Sequence, residues 1–222
     1  TAQNYPRVLF DSKVPLWLFN SVVIALVSTL LVVMLSAMAA YALSKIRFRG
    51  SGLVYLFFLI GLMVPGEATI IPLYIICNRL HLLDSYVGIM APTIAVSMNM
   101  IILTNFFKGI PDELIEAAII DGAGHGKIFA RLILPLSKPV LVTVAIFAFM
   151  ASWNNYLWPF LCAMDENIFT LPVGIPTFIG QYSIDYVVPL TASMVASIPA
   201  IVAYLLLERY IVEGIAMTGV KG

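Results

Sequence analysis

What this sequence has least of is charge. Asp, Glu, Lys and Arg make up 11% of its 222 residues, against about 25% in soluble domains. Net charge is zero, which removes the electrostatic case for nucleic acid as a partner. Two cysteines, Cys77 and Cys162, are too few for a disulfide scaffold and read as free packing residues near span ends. Histidine is as rare: His81 and His125 are isolated, and no His, Cys or carboxylate group has metal-ligand spacing. No nucleophile and base fall in a motif, so the chain does not read as an enzyme and no cofactor is expected in it. No signal peptide is visible either. The chain starts Thr1-Ala2-Gln3-Asn4-Tyr5, with no basic region ahead of an apolar core, and this start reads as a truncation.

Apolar residues fill the space that charge leaves: 61% are hydrophobic and mean hydropathy is +1.00. That composition predicts an all-α integral membrane protein. Residues 1–14 are mixed and polar and read as an extracytoplasmic loop, and residues 15–212 as the transmembrane domain. The first span, 15–43, is long enough to cross about 30 Å of hydrocarbon. Ser36, Ala40 and Ser44 give it a small-residue face for close helix approach. Lys45, Arg47 and Arg49 follow at once and mark that end as cytoplasmic.

The second span, 53–76, is interrupted by Pro65, Gly66, Glu67 and Pro72. A charge in a span is costly, and two readings of Glu67 stay open: it lines a solute path, or neighbouring helices satisfy it. The third span is 86–107, with Asn99 inside. The fourth is 139–162 and carries Trp153-Asn154-Asn155-Tyr156-Leu157-Trp158-Pro159 near its outer end. An interfacial aromatic belt accounts for the rings but not for two adjacent amides, so direct solute or receptor contact is the second reading. The fifth span is 187–211, with Ala192, Ala196 and Ala200 as another small face and Pro199 as a kink. Residues 213–222 are a polar tail. Lys and Arg concentrate between the spans on one side, which places residue 1 outside, residue 222 in the cytoplasm and the segment between spans three and four inside.

That segment is the one long polar interruption in the second half. Pro111 suits a first helical position, Asp112 and Glu113 favour the first turn, and Gly122 and Gly124 suit a left-handed stop. A second helical run over 125–133 is expected to end at Pro135. The product is a helix-turn-helix elbow, 111–135, in which Ala117 and Ala118 leave the backbone open to another protein between Glu116 and Asp121. Gly122 to Lys127 imitates a phosphate loop, but Asp121 and Ile128 stand where a Walker sequence needs Gly and Ser or Thr.

The run Glu116-Ala117-Ala118, then Gly122, then Leu134-Pro135, resembles the cytoplasmic EAA loop of the membrane subunits of bacterial ABC importers, which have a MetI-like permease fold. Phe19-Asn20-Ser21, the run from Trp153 to Pro159 and the ending Gly214 to Gly222 resemble the carbohydrate-uptake branch, within it the second of two paired permeases in maltose, multiple-sugar and glycerol-3-phosphate systems. The resemblance implies a multi-pass subunit of a prokaryotic inner membrane, with one more family span ahead of residue 1. Its implied partners are a second homologous permease, two ABC ATPase subunits that bind the ATP, an extracytoplasmic solute-binding protein and the lipid bilayer. It further implies ATPase coupling through Glu116, Ala117, Ala118, Asp121, Gly122, Ala123 and Pro135. Glu67, Asn99, Trp153, Asn154, Asn155 and Tyr156 are the candidates for solute path or receptor contact. The rivals are an importer permease for amino acids or phosphate esters, and a gradient-driven secondary transporter, for which Glu67 alone is thin support.

Overall fold

The computed structural model describes residues 4–179 and 186–219, and among them every regular element is helical. Residues 4–10, expected as loop, form helix α1 (Asn4–Phe10) because Val8 is fully buried and packs with Val14 and Trp17. Helix α2 (Val14–Lys45) follows and, among the described residues, is the one helix long and apolar enough to cross a membrane unaided.

The next three apolar stretches are broken helices. The stretch 53–76 is two helices, α3 (Ser51–Leu62) and α4 (Gly66–Arg79). Pro65 causes the break: it has no N–H to donate and pushes the residue before it out of the helical region. The stretch 86–107 is likewise divided into α5 (Tyr86–Met90), a tight turn at Ala91–Thr93 containing Pro92, and α6 (Ser97–Lys108), with Val96 extended between them. Next come α7 (Asp112–Ile120), α8 (His125–Ile128), α9 (Leu134–Leu136) and α10 (Lys138–Trp153), then α11 (Leu157–Cys162), α12 (Leu171–Gly174) and α13 (Val187–Gly219). The last continues as helix through residues read as polar tail. Residues 180–185 and 220–222 lie outside the described residues.

The chain forms two compact units. One comprises Thr1–Thr29, Gly66–Ile94 and Ala148–Leu206. Its core gathers Trp17, Ala25, Trp153, Leu171 and Ala192, beside a second cluster of Ile24, Cys77, Ile89, Trp158 and Cys162. Both cysteines are buried and free. Asn20, fully buried, is its polar hub: Nδ2 donates to the carbonyls of Asn167 (2.8 Å) and Phe169 (2.9 Å), and Oδ1 accepts from the Tyr86 hydroxyl (2.6 Å). Beside it the Ser21 hydroxyl accepts from the Leu171 amide at 2.8 Å, and Trp17 Nε1 donates to the Glu166 carbonyl at 2.8 Å. The segment 166–171 is thereby stapled to the first turns of α2. Gly174 lies flat against Trp17, where an added Cβ would fall 2.2 Å from the ring.

The other unit comprises Leu30–Pro65, Ala95–Phe147 and Leu207–Gly222. Ala37, Ala40 and Tyr41 of α2 pack with Leu103 and Phe107 of α6 and with Ile115, Ile128, Ile133 and Val144. Ala37 and Ala40 have no exposed surface, and of the expected small face Ser36, Ala40 and Ser44 it is Ala40 that joins the cluster with α6 and the elbow. Phe57 and Leu53 of α3 are each more than 70% exposed, an outward apolar surface suited to lipid.

Candidate functional site

The elbow begins one residue later than its sequence suggests. Pro111 is the N-cap (φ −57°, ψ 134°), and α7 starts at Asp112, which with Glu113 puts two carboxylates in the first turn. The helix ends in a Schellman closure: the Gly122 amide donates to the Ile119 carbonyl and the Ala123 amide to the Ala118 carbonyl, both at 2.9 Å. Gly122 takes the left-handed conformation, φ +79°, which an L side chain resists. Gly124 does not share that role. It is extended (φ −75°, ψ 162°) and caps α8, its carbonyl accepting from Lys127 and Ile128.

Pro135 does not stop the second arm. Past α8 the backbone widens over Phe129–Ile133 into a π-type turn, in which the Leu134 amide donates five residues back to Phe129. The wide turn moves the Arg131 carbonyl away from the Pro135 ring, which would clash with it in an ordinary helix. Leu134 stays helical and the arm runs to Leu136, with Pro135 exposed in its first turn.

Ile115, Ile128 and Ile133 anchor the elbow in the core. Its other face is open: Glu116, Ala117, Asp121 and Gly122 are exposed, and Ala118 and Ala123 partly so. Beside them Leu114, Ile119 and Ile120 present apolar surface, Ile120 being 85% exposed. This leaves an exposed apolar patch beside the carboxylates of Glu113 and Glu116 on a short helix.

Two side chains, Lys45 and Tyr41, tie the elbow to the end of α2. The Lys45 ammonium donates to the Ile110 carbonyl and to Asp112 Oδ1, each at 2.6 Å. The Tyr41 hydroxyl lies 3.0 Å from His125 Nδ1, so His125 is not isolated. Phe129 packs on the Tyr41 ring at 5.4 Å. The hydrogen bond from Lys45, then its charge, holds the Asp112 carboxyl below the usual carboxylate range, and Arg47 adds to this. A cleft of about 630 Å³ opens between this end of α2 and α7, lined by Arg47, Arg49, Asp112, Glu116 and Ile119 among others.

The second set of candidates is brought together only in part. Trp153 is buried and stacked on Phe149 at 5.7 Å, and Asn154 Nδ2 donates to the Met150 carbonyl at 2.9 Å as α10 ends. Both border a cleft of about 290 Å³ with Leu171, Pro172, Ser193 and Ser197. Asn155 and Tyr156 lie outside that lining; Tyr156 is exposed and stacked on Phe160. Glu67 is exposed in the first turn of α4, and Asn99 is buried in α6.

Residues 32–216 match the family of binding-protein-dependent transport system inner membrane components. The chain belongs to that family. The arabinooligosaccharides transport system permease protein AraQ of Bacillus subtilis (strain 168) is 34% identical over 206 residues, 93% of this chain and 73% of that one. The trehalose/maltose transport system permease protein MalG of Thermococcus litoralis is 36% identical over 227 residues, 100% of this chain and 82% of that one. The sn-glycerol-3-phosphate transport system permease protein UgpE of Pectobacterium atrosepticum is 35% identical over 202 residues, covering 90% and 72%. A crystal structure of a bacterial ABC transporter involved in the import of the acidic polysaccharide alginate superposes with TM-score 0.86 at 25% identity, over 93% of this chain and 78% of that one. These relatives are transport permeases, not enzymes, and they agree with the carbohydrate-uptake resemblance.

For this inner-membrane permease, sequence reasoning missed Lys45, Tyr41, His125, Ile119 and Ile120. Lys45 reads from sequence as one more positive-inside marker, and nothing in a linear pattern pairs it with Asp112. Ile119 and Ile120 had a visible signal: the last turn of α7 buries only one face, so two adjacent isoleucines cannot both be core.

Proposed function

We propose that this chain is a transmembrane permease subunit of an ATP-driven, binding-protein-dependent importer for sugars or sugar-like solutes, moving solute inward by alternating access. The elbow, 111–135, is the ATPase-docking element. Glu116, Ala117, Ala118, Asp121, Gly122, Ala123 and Pro135 form or shape its docking face. The carrying observation is the exposed apolar tip of α7, Ile119 and Ile120, on a backbone locked by Gly122 and anchored from behind by Ile115. A second permease, two ABC ATPase subunits and an extracytoplasmic binding protein complete the assembly, with residue 1 outside and residue 222 in the cytoplasm. Arabinooligosaccharide, trehalose/maltose and glycerol-3-phosphate systems among the relatives support a polyhydroxylated solute. The cleft at Trp153 and Asn154 is the solute-facing candidate on this chain.

The test is ATP hydrolysis by the complex reconstituted in lipid, across a panel of oligosaccharides, polyols and glycerol phosphates presented with the binding protein. Stimulation by one ligand class, lost on a substitution at Gly122, is the expected result. Failure of any ATPase subunit to copurify with the chain removes the proposal.

A further inference from the structure

Lys45 ends an apolar helix, where a lysine ordinarily extends its ammonium to water. Here the side chain is only 3% exposed, and its ammonium turns inward onto two oxygens of the elbow's entrance, the Ile110 carbonyl and Asp112 Oδ1. One helical turn earlier, on the same face of α2, Tyr41 meets His125 at the start of the elbow's second arm. Residues 41 and 45 thus hold one arm each. Without these partners the ammonium would be held out of water with no acceptor, and Ala37 and Ala40, fully buried earlier on α2, pack in the same cluster as Ile115 and Ile128 of the elbow.

We propose that Lys45 and Tyr41 are positioning residues that make the elbow and the inner half of α2 a single lever, so that displacement of the elbow is delivered to the first span without loss. This rests on the elbow being the ATPase-docking element. A coupling element must be rigid within itself to carry a shift between two discrete arrangements. The two contacts supply that rigidity while leaving Ile119, Ile120 and Glu116 exposed for the partner.

The assay uses the full complex with both native cysteines replaced by alanine and spin labels introduced at Met38→Cys on α2 and Glu113→Cys on α7. The inter-label distance is measured nucleotide-free and with a non-hydrolysable ATP analogue, and ATPase copurification is scored on the same samples. The expected result is one narrow distance, identical in both states. Lys45→Met combined with Tyr41→Phe broadens or splits it and lowers binding-protein-stimulated hydrolysis toward the unstimulated rate while the ATPase still copurifies. Lys45→Arg restores both. A distance that changes with nucleotide in the otherwise unaltered chain overturns the lever, as does a double variant that keeps the single distance and the stimulation. Should the double variant not assemble, Asp112→Asn, which keeps the Ile110 bond, and the labelled parent still decide the question. Loss of ATPase copurification from the parent chain itself identifies failure of the docking reading instead, and the lever falls with it.

Discussion

Asn20 illustrates what one residue does here. Its fully buried side chain fills three hydrogen bonds, so Asn20→Leu removes the partner of the Tyr86 hydroxyl and of two carbonyls. A polar group left unpaired out of water costs about 1–3 kcal/mol; the half-buried Tyr86 and Phe169 carry that cost, while the exposed Asn167 can turn to solvent. The purified chain is expected to melt several degrees lower, with the segment 166–171 becoming the first site of limited proteolysis. Unchanged melting would mean the hub is dispensable. Gly174→Ala probes the same unit through packing: the new methyl meets the Trp17 ring, and overpacking of this kind costs about 1–3 kcal/mol. Thermal melts should register it, and Gly50→Ala, which meets nothing within 4 Å, separates clash from the backbone effect of a left-handed glycine. The Phe19-Asn20-Ser21 motif was readable in the sequence, but its role was not. Two of its partners lie 147 and 149 residues away, and no local pattern encodes that distance.

At the scale of the element, the elbow was legible in outline because capping chemistry is local. The two first-turn carboxylates, the small Ala117 and Ala118 and the left-handed Gly122 all follow from short-range rules. Its second arm was misread because the rule that proline ends a helix assumes regular hydrogen bonding, and the π-type turn at Phe129–Ile133 suspends it. Gly122→Leu forces a side chain into the left-handed region at about 1–2 kcal/mol. ATPase copurification and uptake should both fall, and a wild-type uptake rate would show that the turn's shape is not what the partner reads. The Lys45–Asp112 pair carries a pH signature. Asp112's folded-state pKa is depressed, so the pair contributes fully above the unfolded value of about 3.9. That contribution is lost as pH falls through the lower folded value. Asp112→Asn should therefore be less stable than the parent near neutrality and converge with it in acid. The gap is expected to be modest, since the Asp112 side chain is 64% exposed and open to screening.

For the whole molecule, composition alone announced a helical membrane protein, and the family places it in the inner membrane. The breaks at Pro65 and before Ser97 were only half legible: the prolines were visible, but whether a proline kinks a helix or divides it depends on what packs around the freed backbone groups. Among the described residues this leaves one helix, Val14–Lys45, both long and apolar enough to span unaided, and up to four spans if each bent pair crosses as one. The proposed orientation is therefore best tested from the water side. Cys77 and Cys162 are buried and should stay unreactive toward a membrane-impermeant maleimide until the protein is unfolded, which gives a silent background. On that background Lys127→Cys in the elbow should label only when the cytoplasmic face is accessible, and Lys13→Cys, at the entrance to α2, only from the opposite face. Both side chains are in exposed or half-exposed positions, so a negative result from one face cannot be blamed on burial. Labelling of both from the same side would mean an even number of crossings between residues 13 and 127, against the three that the proposed orientation requires, and labelling of Lys127→Cys from outside would detach the elbow from the face where the proposed ATPase meets it.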